Sequence, residues 1–193
     1  MLSDKTATGI FGGSFNPIHN GHIALARQIL EKGGLDEIWF MVSPQNPLKP
    51  ADTLADDHYR LSLVKAVLEG EARLKACDYE FQMPRPSYTY DTLMALRRDY
   101  PDREFTLIMG GDNWERFHRW YKWEDILRQF RIIIYPRQGA AIDTASLPAN
   151  VRLVDTTLYN ISSTEIRNKI SKGEDISCLV PEAVAKSFRY EKD

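Results

Sequence analysis

Apolar residues along this chain switch repeatedly between short continuous runs and helical spacing. Thr6–Phe11 reads as a buried strand; after it Ile23, Ala26 and Leu30, flanked by Leu25 and Ile29, recur on one face of a helix spanning Gly21–Lys32. The same alternation predicts a strand over Glu37–Ser43, a helix over Asp57–Leu68, a strand over Arg73–Asp78, a helix over Tyr90–Asp99 and a strand over Glu104–Met109. Helices between Trp114 and Gln129, strands over Arg131–Tyr135 and Val151–Asp155, and a helix over Ser163–Ser171 follow. Leu179–Tyr190 reads as a closing helix with Pro181 in its first turn. Runs such as Phe105-Thr106-Leu107-Ile108-Met109 and Ile132-Ile133-Ile134 have no polar alternation, which marks strands covered on both faces. The prediction is an α/β fold, a Rossmann-like doubly wound parallel sheet with helices on both faces. Ligands of such sheets collect outside the carboxyl ends of the strands. Arg137 to Asn150 reads as one exposed connection rather than a domain linker.

Composition narrows the picture without redirecting it. With 193 residues, 43% of them hydrophobic and 27% charged, the chain can bury a sizeable core, so one domain over 1–193 is expected, with a short C-terminal helical segment from about residue 162. A net charge of −2 gives no global reason to expect nucleic acid or an acidic membrane as partner. Cys77 and Cys178 lie far apart with no Cys-x-x-Cys, against a zinc site or a disulfide framework and in keeping with a reducing compartment. Met1 to Thr8 lacks an apolar signal segment, and no apolar run approaches the ~20 residues that span a bilayer, so a cytoplasmic protein is expected. The closing helix could pack on its own domain or on a second copy, which leaves a homo-oligomer open.

The candidate chemistry is concentrated in Gly9-Ile10-Phe11-Gly12-Gly13-Ser14-Phe15-Asn16-Pro17-Ile18-His19-Asn20-Gly21-His22. A turn over Gly12 to Asn20 joins strand to helix; Gly12 and Gly13 permit close backbone approach, with Ser14 and Phe15 following. The helix start is expected to present unpaired N–H groups and a positive dipole end to an anion. His19 and His22, three residues apart, can both point at that anion as donors. A lone histidine near a helix start is most simply a cap or a core residue; a pair beside glycines points to a phosphate site. Neither Gly-x-Gly-x-x-Gly nor a glycine-lysine-serine/threonine follows, so this is not the common nucleotide fingerprint. A second constellation, Ser162-Ser163-Thr164-Glu165-Ile166-Arg167, satisfies a capping box with Ser162 as the cap. Ser163, Thr164 and Arg167 would then share a face beside free amides, making a second anion site.

The His19-Asn20-Gly21-His22 stretch resembles the His-x-Gly-His nucleotidyltransferases, whose signature is related to that of class I aminoacyl-tRNA synthetases. Within them the chain is most similar to bacterial nicotinate-nucleotide adenylyltransferases. Further motifs recur in order: Pro44 to Lys49, Ser87-Tyr88-Thr89, Gly110-Gly111-Asp112, Trp120 to Trp123, and Ile161 to Arg167. The first and last motifs are the specific ones. The resemblance implies adenylyl transfer from ATP to nicotinate mononucleotide, giving nicotinate adenine dinucleotide and pyrophosphate. It places His19 and His22 on the α-phosphate and departing pyrophosphate, and Ser163, Thr164 and Arg167 on the ATP phosphates. Mg²⁺ is expected to bridge ATP oxygens with few or no protein ligands. Lys49 would grip the acceptor phosphate, though an exposed lysine reads equally well as solvated surface. Asp112 would accept from ribose hydroxyls, but Asp112 and Glu115 also match a capping box.

Tyr88, Thr89, Trp120 and Tyr121 would surround the pyridine ring, while Trp114, Phe117 and Trp123 read as packing. The chain departs from the family pattern in three places: Leu48 stands where many members have histidine, Met83 where many have arginine, and Asn16 where most have aspartate. Alternative readings are an adenylyltransferase for nicotinamide mononucleotide or phosphopantetheine, or a non-catalytic nucleotide sensor. A tRNA synthetase is disfavoured by the short chain and the missing Lys-Met-Ser-Lys-Ser motif.

Overall fold

A computed structural model describes residues 5–45 and 54–189. Six parallel strands form one sheet in the order β3-β2-β1-β4-β5-β6. They are β1 Thr6–Gly13, β2 Glu37–Val42, β3 Leu74–Cys77, β4 Arg103–Gly110, β5 Arg131–Tyr135 and β6 Val151–Leu153. The helices are α1 Asn20–Gly33, α2 Asp57–Val67, α3 Thr89–Asp99, α4 Gly111–Glu115, α5 Trp123–Gln129, α6 Ser163–Ser171 and α7 Glu182–Arg189. The strand order reverses between β1 and β4, so the crevice at their carboxyl ends is the place where a doubly wound sheet receives ligands.

Successive residues of the central strands feed two cores, one on each face, as the period of two requires. Ile108 and Ile133 face α1, α2, α6 and α7, and pack with Leu25, Ile29, Val64, Ile166 and Val184. Leu107, Met109, Ile132 and Ile134 face α3 and α5, and pack with Leu93, Leu96 and Ile126. The fully apolar strand runs thus serve both faces at once. Helix α1 ends where Gly34 takes a left-handed conformation, φ 68°, which only glycine adopts without strain. Helix α7 packs on its own chain: Val184 and Ala185 are buried, and the Tyr59 hydroxyl of α2 meets Ser187 Oγ at 3.2 Å.

Two local expectations, at Gly12–Gly13 and at Asp112, need correction. Gly12 and Gly13 do not lie in the turn but complete β1, paired with Met41 and Val42, because the ladder to β2 continues to the end of the strand. The helices expected between Trp114 and Gln129 are present as the end of α4, a 3₁₀ turn at Phe117–Arg119 and α5, with Lys122 at φ 51° before the last. Asp112 is not a cap: α4 begins after Gly110, and Glu115 Oε1 accepts from Ala141 N at 3.1 Å instead. Among the described residues, no helix is long and apolar enough to cross a membrane.

Candidate active site

The loop after β1 is set by burial rather than by flexibility. Phe15, at φ 45°, is a bulky residue in the left-handed region, and its ring is 2% exposed against Phe11, Phe40 and His22. Its side chain is therefore packing, and only its main chain can serve a ligand. A Cβ on Gly13 would lie 2.9 Å from that ring, whereas one on Gly12 would meet nothing within 4 Å. Gly12 thus leaves its face open toward a cavity, while Gly13 makes room for Phe15.

Arg60 of α2, unforeseen from the sequence, holds this loop in place. It is 1% exposed, and its guanidinium donates to Ser14 O at 2.6 Å, Ser43 O at 2.9 Å, Pro44 O at 3.0 Å and Ala55 O at 3.0 Å. One buried cation thereby ties the loop after β1 to the loop after β2. Asn16 Oδ1 adds a bond from Ala55 N at 3.3 Å.

His19 caps α1 and stacks on His22, with ring centroids 3.6 Å apart and planes 22° apart. The His22 amide donates to His19 O at 3.0 Å, and the His19 amide donates to His22 Nδ1 at 3.2 Å. Because His22 Nδ1 accepts, its proton resides on Nε2, which becomes a neutral donor. His19 is 5% exposed, and burial, reinforced by Arg137, pulls its pKa down to about 4. The imidazole is therefore neutral at ordinary pH, and its Nδ1 is buried with no partner among the described residues. The expectation of unpaired amides at the start of α1 is corrected in part, since Asn20 N donates to Leu179 O at 3.0 Å and His22 N is also bonded. The C-terminal segment docks there and occupies the Asn20 amide.

Ser162 caps α6 by accepting from Glu165 N at 3.1 Å. Ser163 Oγ donates to Pro17 O at 2.9 Å, and Arg167 donates to Asn16 O at 2.8 Å and to Thr164 Oγ1 at 3.3 Å. The two sequence motifs, almost 150 residues apart in the chain, are thus bonded to each other.

Two cavities flank the carboxyl end of β1. The first, of about 580 Å³, is lined by His19, His22, Asp112, Arg137, Tyr159 and Ser162 among others. Arg137, on the loop after β5, has Nε 3.8 Å from Asp112 Oδ1. Within the stretch Arg137 to Asn150, which in sequence is only an exposed connection, the mark of Arg137 is its position just past a strand end. The second cavity, of about 210 Å³, brings together Gly12, Gly13, Tyr88, Thr89, Trp120 and Tyr121. Tyr88 precedes α3 and provides no side-chain cap, so the first-turn amides of that helix are left for another acceptor. The Trp120 indole N–H is buried with no partner among the described residues. Glu80, also missed by sequence reasoning, belongs to this cavity. Tyr135, 6% exposed at the end of β5, lines both. Lys49 and Leu48 lie outside the described residues. Packing accounts for Trp114 and Trp123, whose rings lie 5.4 Å and 6.1 Å from that of Phe117.

Comparison with known proteins gives the chain a family. The cytidylyltransferase-like family model matches residues 10–169. The chain is 49% identical over 189 residues to a protein of Bacteroides fragilis named as a probable nicotinate-nucleotide adenylyltransferase, covering 98% of this chain and 94% of that one. A protein of the same name from Bacteroides thetaiotaomicron is 51% identical over 90% of this chain and 86% of its own length. In fold, the chain is similar to nicotinic acid mononucleotide adenylyltransferase of Plasmodium falciparum complexed with NaAD, with a TM-score of 0.80 at 21% identity over 97% of this chain and 96% of that one.

Proposed function

We infer the reaction from one premise: the chain belongs to the cytidylyltransferase-like family, and within it to the nicotinate-nucleotide adenylyltransferases. It transfers the adenylyl group of ATP to nicotinate mononucleotide, giving nicotinate adenine dinucleotide and pyrophosphate. A phosphate oxygen of the acceptor attacks the α-phosphorus, the bond to the bridging oxygen breaks, and its electron pair leaves with pyrophosphate. The attacking oxygen is already anionic at neutral pH, so positioning and charge stabilisation can carry the step without a general base.

The observation that carries this reading is the pair of cavities converging on Tyr135 beside the open edge at Gly12. ATP occupies the larger cavity, with the His22 Nε2–H and the neutral His19 ring on the α-phosphate and departing pyrophosphate. Arg167 and Thr164 stand at the β- and γ-phosphates, and Asp112 accepts from the ribose. The acceptor occupies the smaller cavity, its ring among Tyr88, Trp120 and Tyr121 and its carboxylate on the first-turn amides around Thr89. Lys49 serves the acceptor phosphate. Among the described residues, no group of three His, Cys, Asp or Glu side chains could hold a metal ion. The larger cavity offers one carboxylate, Asp112, which already faces Arg137, so the donor set suits an anion, and Mg²⁺ would be held mainly through the ATP phosphates. The chemistry Mg²⁺ would supply there is screening of the triphosphate charge that the attacking oxygen must approach.

The test is pyrophosphate release from MgATP with nicotinate mononucleotide, nicotinamide mononucleotide or phosphopantetheine as acceptor. Turnover confined to the nicotinate acceptor is expected. Preference for another acceptor moves the substrate and keeps the mechanism; ATP binding without turnover on any of them replaces the enzyme with a nucleotide sensor.

A further inference from the structure

The smaller cavity contains a buried carboxylate, Glu80, that pairs with no cation among the described residues. Glu80 is 8% exposed, and its oxygens accept from Thr92 Oγ1 at 2.9 Å and Ser87 Oγ at 3.0 Å, with the Ser43 hydroxyl as a third donor. All three donors are neutral. Among the described residues no ion pair joins it to Arg119, the cation lining the same cavity. The other buried glutamate, Glu37, shows the usual solution: at 6% exposure it is met by both Lys75 and Arg103. Burial without such a partner pushes the Glu80 carboxyl above the ordinary range despite its hydrogen bonds.

Scaffolding explains the shape of this side chain but not its charge. A glutamine would fill the same volume, and serine and threonine hydroxyls can turn to donate to it or accept from it. A buried carboxylate without a cation is costly, so its presence beside a ligand cavity points to a positive group that arrives with the ligand. Nicotinate mononucleotide brings one, because its ring nitrogen is quaternary and carries a fixed positive charge.

We propose that Glu80 is a specificity-determining residue that recognises the cationic ring of the acceptor, complementing the amides at the start of α3 that face its carboxylate. The acceptor then lies as a zwitterion between two opposite fields, its ring charge toward Glu80 and its carboxylate toward the helix N-terminus. This inference rests on the acceptor assignment above. It adds that the cavity reads the charge of the ring as well as its flatness.

The experiment compares two acceptors with MgATP: nicotinate mononucleotide and its carbon-linked benzoate isostere, in which a ring carbon replaces the quaternary nitrogen. The wild-type protein is expected to show a KM for the neutral isostere higher by on the order of tenfold, with little change in kcat. Glu80→Gln should raise the KM for the charged acceptor and bring the two values close together, leaving the KM for ATP unchanged. Glu80→Asp, which keeps the charge, should retain the discrimination, and it serves if the glutamine variant does not fold. Equal KM values in the wild type, or an unchanged ratio in Glu80→Gln, would reduce Glu80 to a brace for Ser87 and Thr92. Absence of transfer to nicotinate mononucleotide by the wild type overturns the reaction itself, and the Glu80 assignment with it.

Discussion

Neutral His19 ties the stability of the fold to pH in a way that can be measured. Its folded pKa is about 4, against an ordinary value of 6.5. As pH falls, the unfolded chain takes up this proton first. The corresponding stability is therefore complete above the unfolded value and is lost progressively as the pH drops toward the folded one. Between about pH 7 and about pH 4.5, linkage for these two values gives a loss of about 2 kcal/mol from this one side chain. Carboxylates titrate over part of the same range, so the comparison must be differential. Urea unfolding of the wild type and of His19→Asn, each at about pH 7 and about pH 4.5, isolates the histidine: the wild type should lose about 2 kcal/mol more than the variant. The His19 ring protons should titrate near 4 in the folded protein by NMR. Equal losses in the two proteins, or a His19 ring titrating at its ordinary value, would refute the neutral imidazole and the reading of the site built on it.

Other substitutions probe the supports of the two cavities. Arg60→Met leaves the carbonyls of Ser14, Ser43, Pro44 and Ala55 without their shared donor and should cost about 3 kcal/mol or more in denaturant unfolding; a loss below about 1 kcal/mol would show that the loops hold without it. Gly9→Ala and Gly12→Ala should separate folding from binding. A Cβ at Gly9 would stand 2.7 Å from Ile108 Cδ1 and Leu35 Cδ1 and should destabilise by about 1–3 kcal/mol. The same atom at Gly12 meets nothing, so stability should stay within about 0.5 kcal/mol while the acceptor KM rises several-fold; unchanged KM would remove Gly12 from the acceptor path.

Sheet and helices were legible because the period of the apolar residues is local information. The runs in β4 and β5 carry no polar alternation, and that alone required cover on both faces. Ser162 was legible as a cap for the same reason, since its partner Glu165 is three residues away. What stayed hidden depends on contacts between distant segments. Arg60 sits in an amphipathic helix where an arginine is normally solvated, and only the fold brings four carbonyls around it. Glu80 and Arg137 are single charged residues with no spacing to mark them. The occupied amide at Asn20 could not be foreseen either, because its acceptor, Leu179, arrives from the far end of the chain. The sequence pointed to the cavity-lining aromatics by type, but their grouping around Gly12 and Glu80 is a property of the assembled fold.

In the proposed reading the two histidines take the place that a lysine has in many phosphate sites, and the surrounding charges give a reason for the exchange. ATP and pyrophosphate are both polyanions, so a cluster of free cations would hold substrate and product alike, and such uniform binding lowers KM without raising kcat. The cations near the larger cavity are tempered: Arg137 faces Asp112 at 3.8 Å, and Arg167 is engaged with Asn16 O and Thr164. His22 instead offers one directed N–H, oriented by the bond from His19 N to its Nδ1. In that reading a directed neutral donor would act most strongly at the one place where charge accumulates during transfer, and would hold pyrophosphate weakly once that product shifts. His22→Ala should therefore reduce kcat by on the order of 10²–10³ with little change in the KM for ATP. His22→Lys restores a donor and adds charge without the orientation. It should leave kcat depressed while tightening inhibition by pyrophosphate, as read from steady-state inhibition constants. Recovery of kcat in the lysine variant would show that charge alone suffices, and the argument from directed donors would fail.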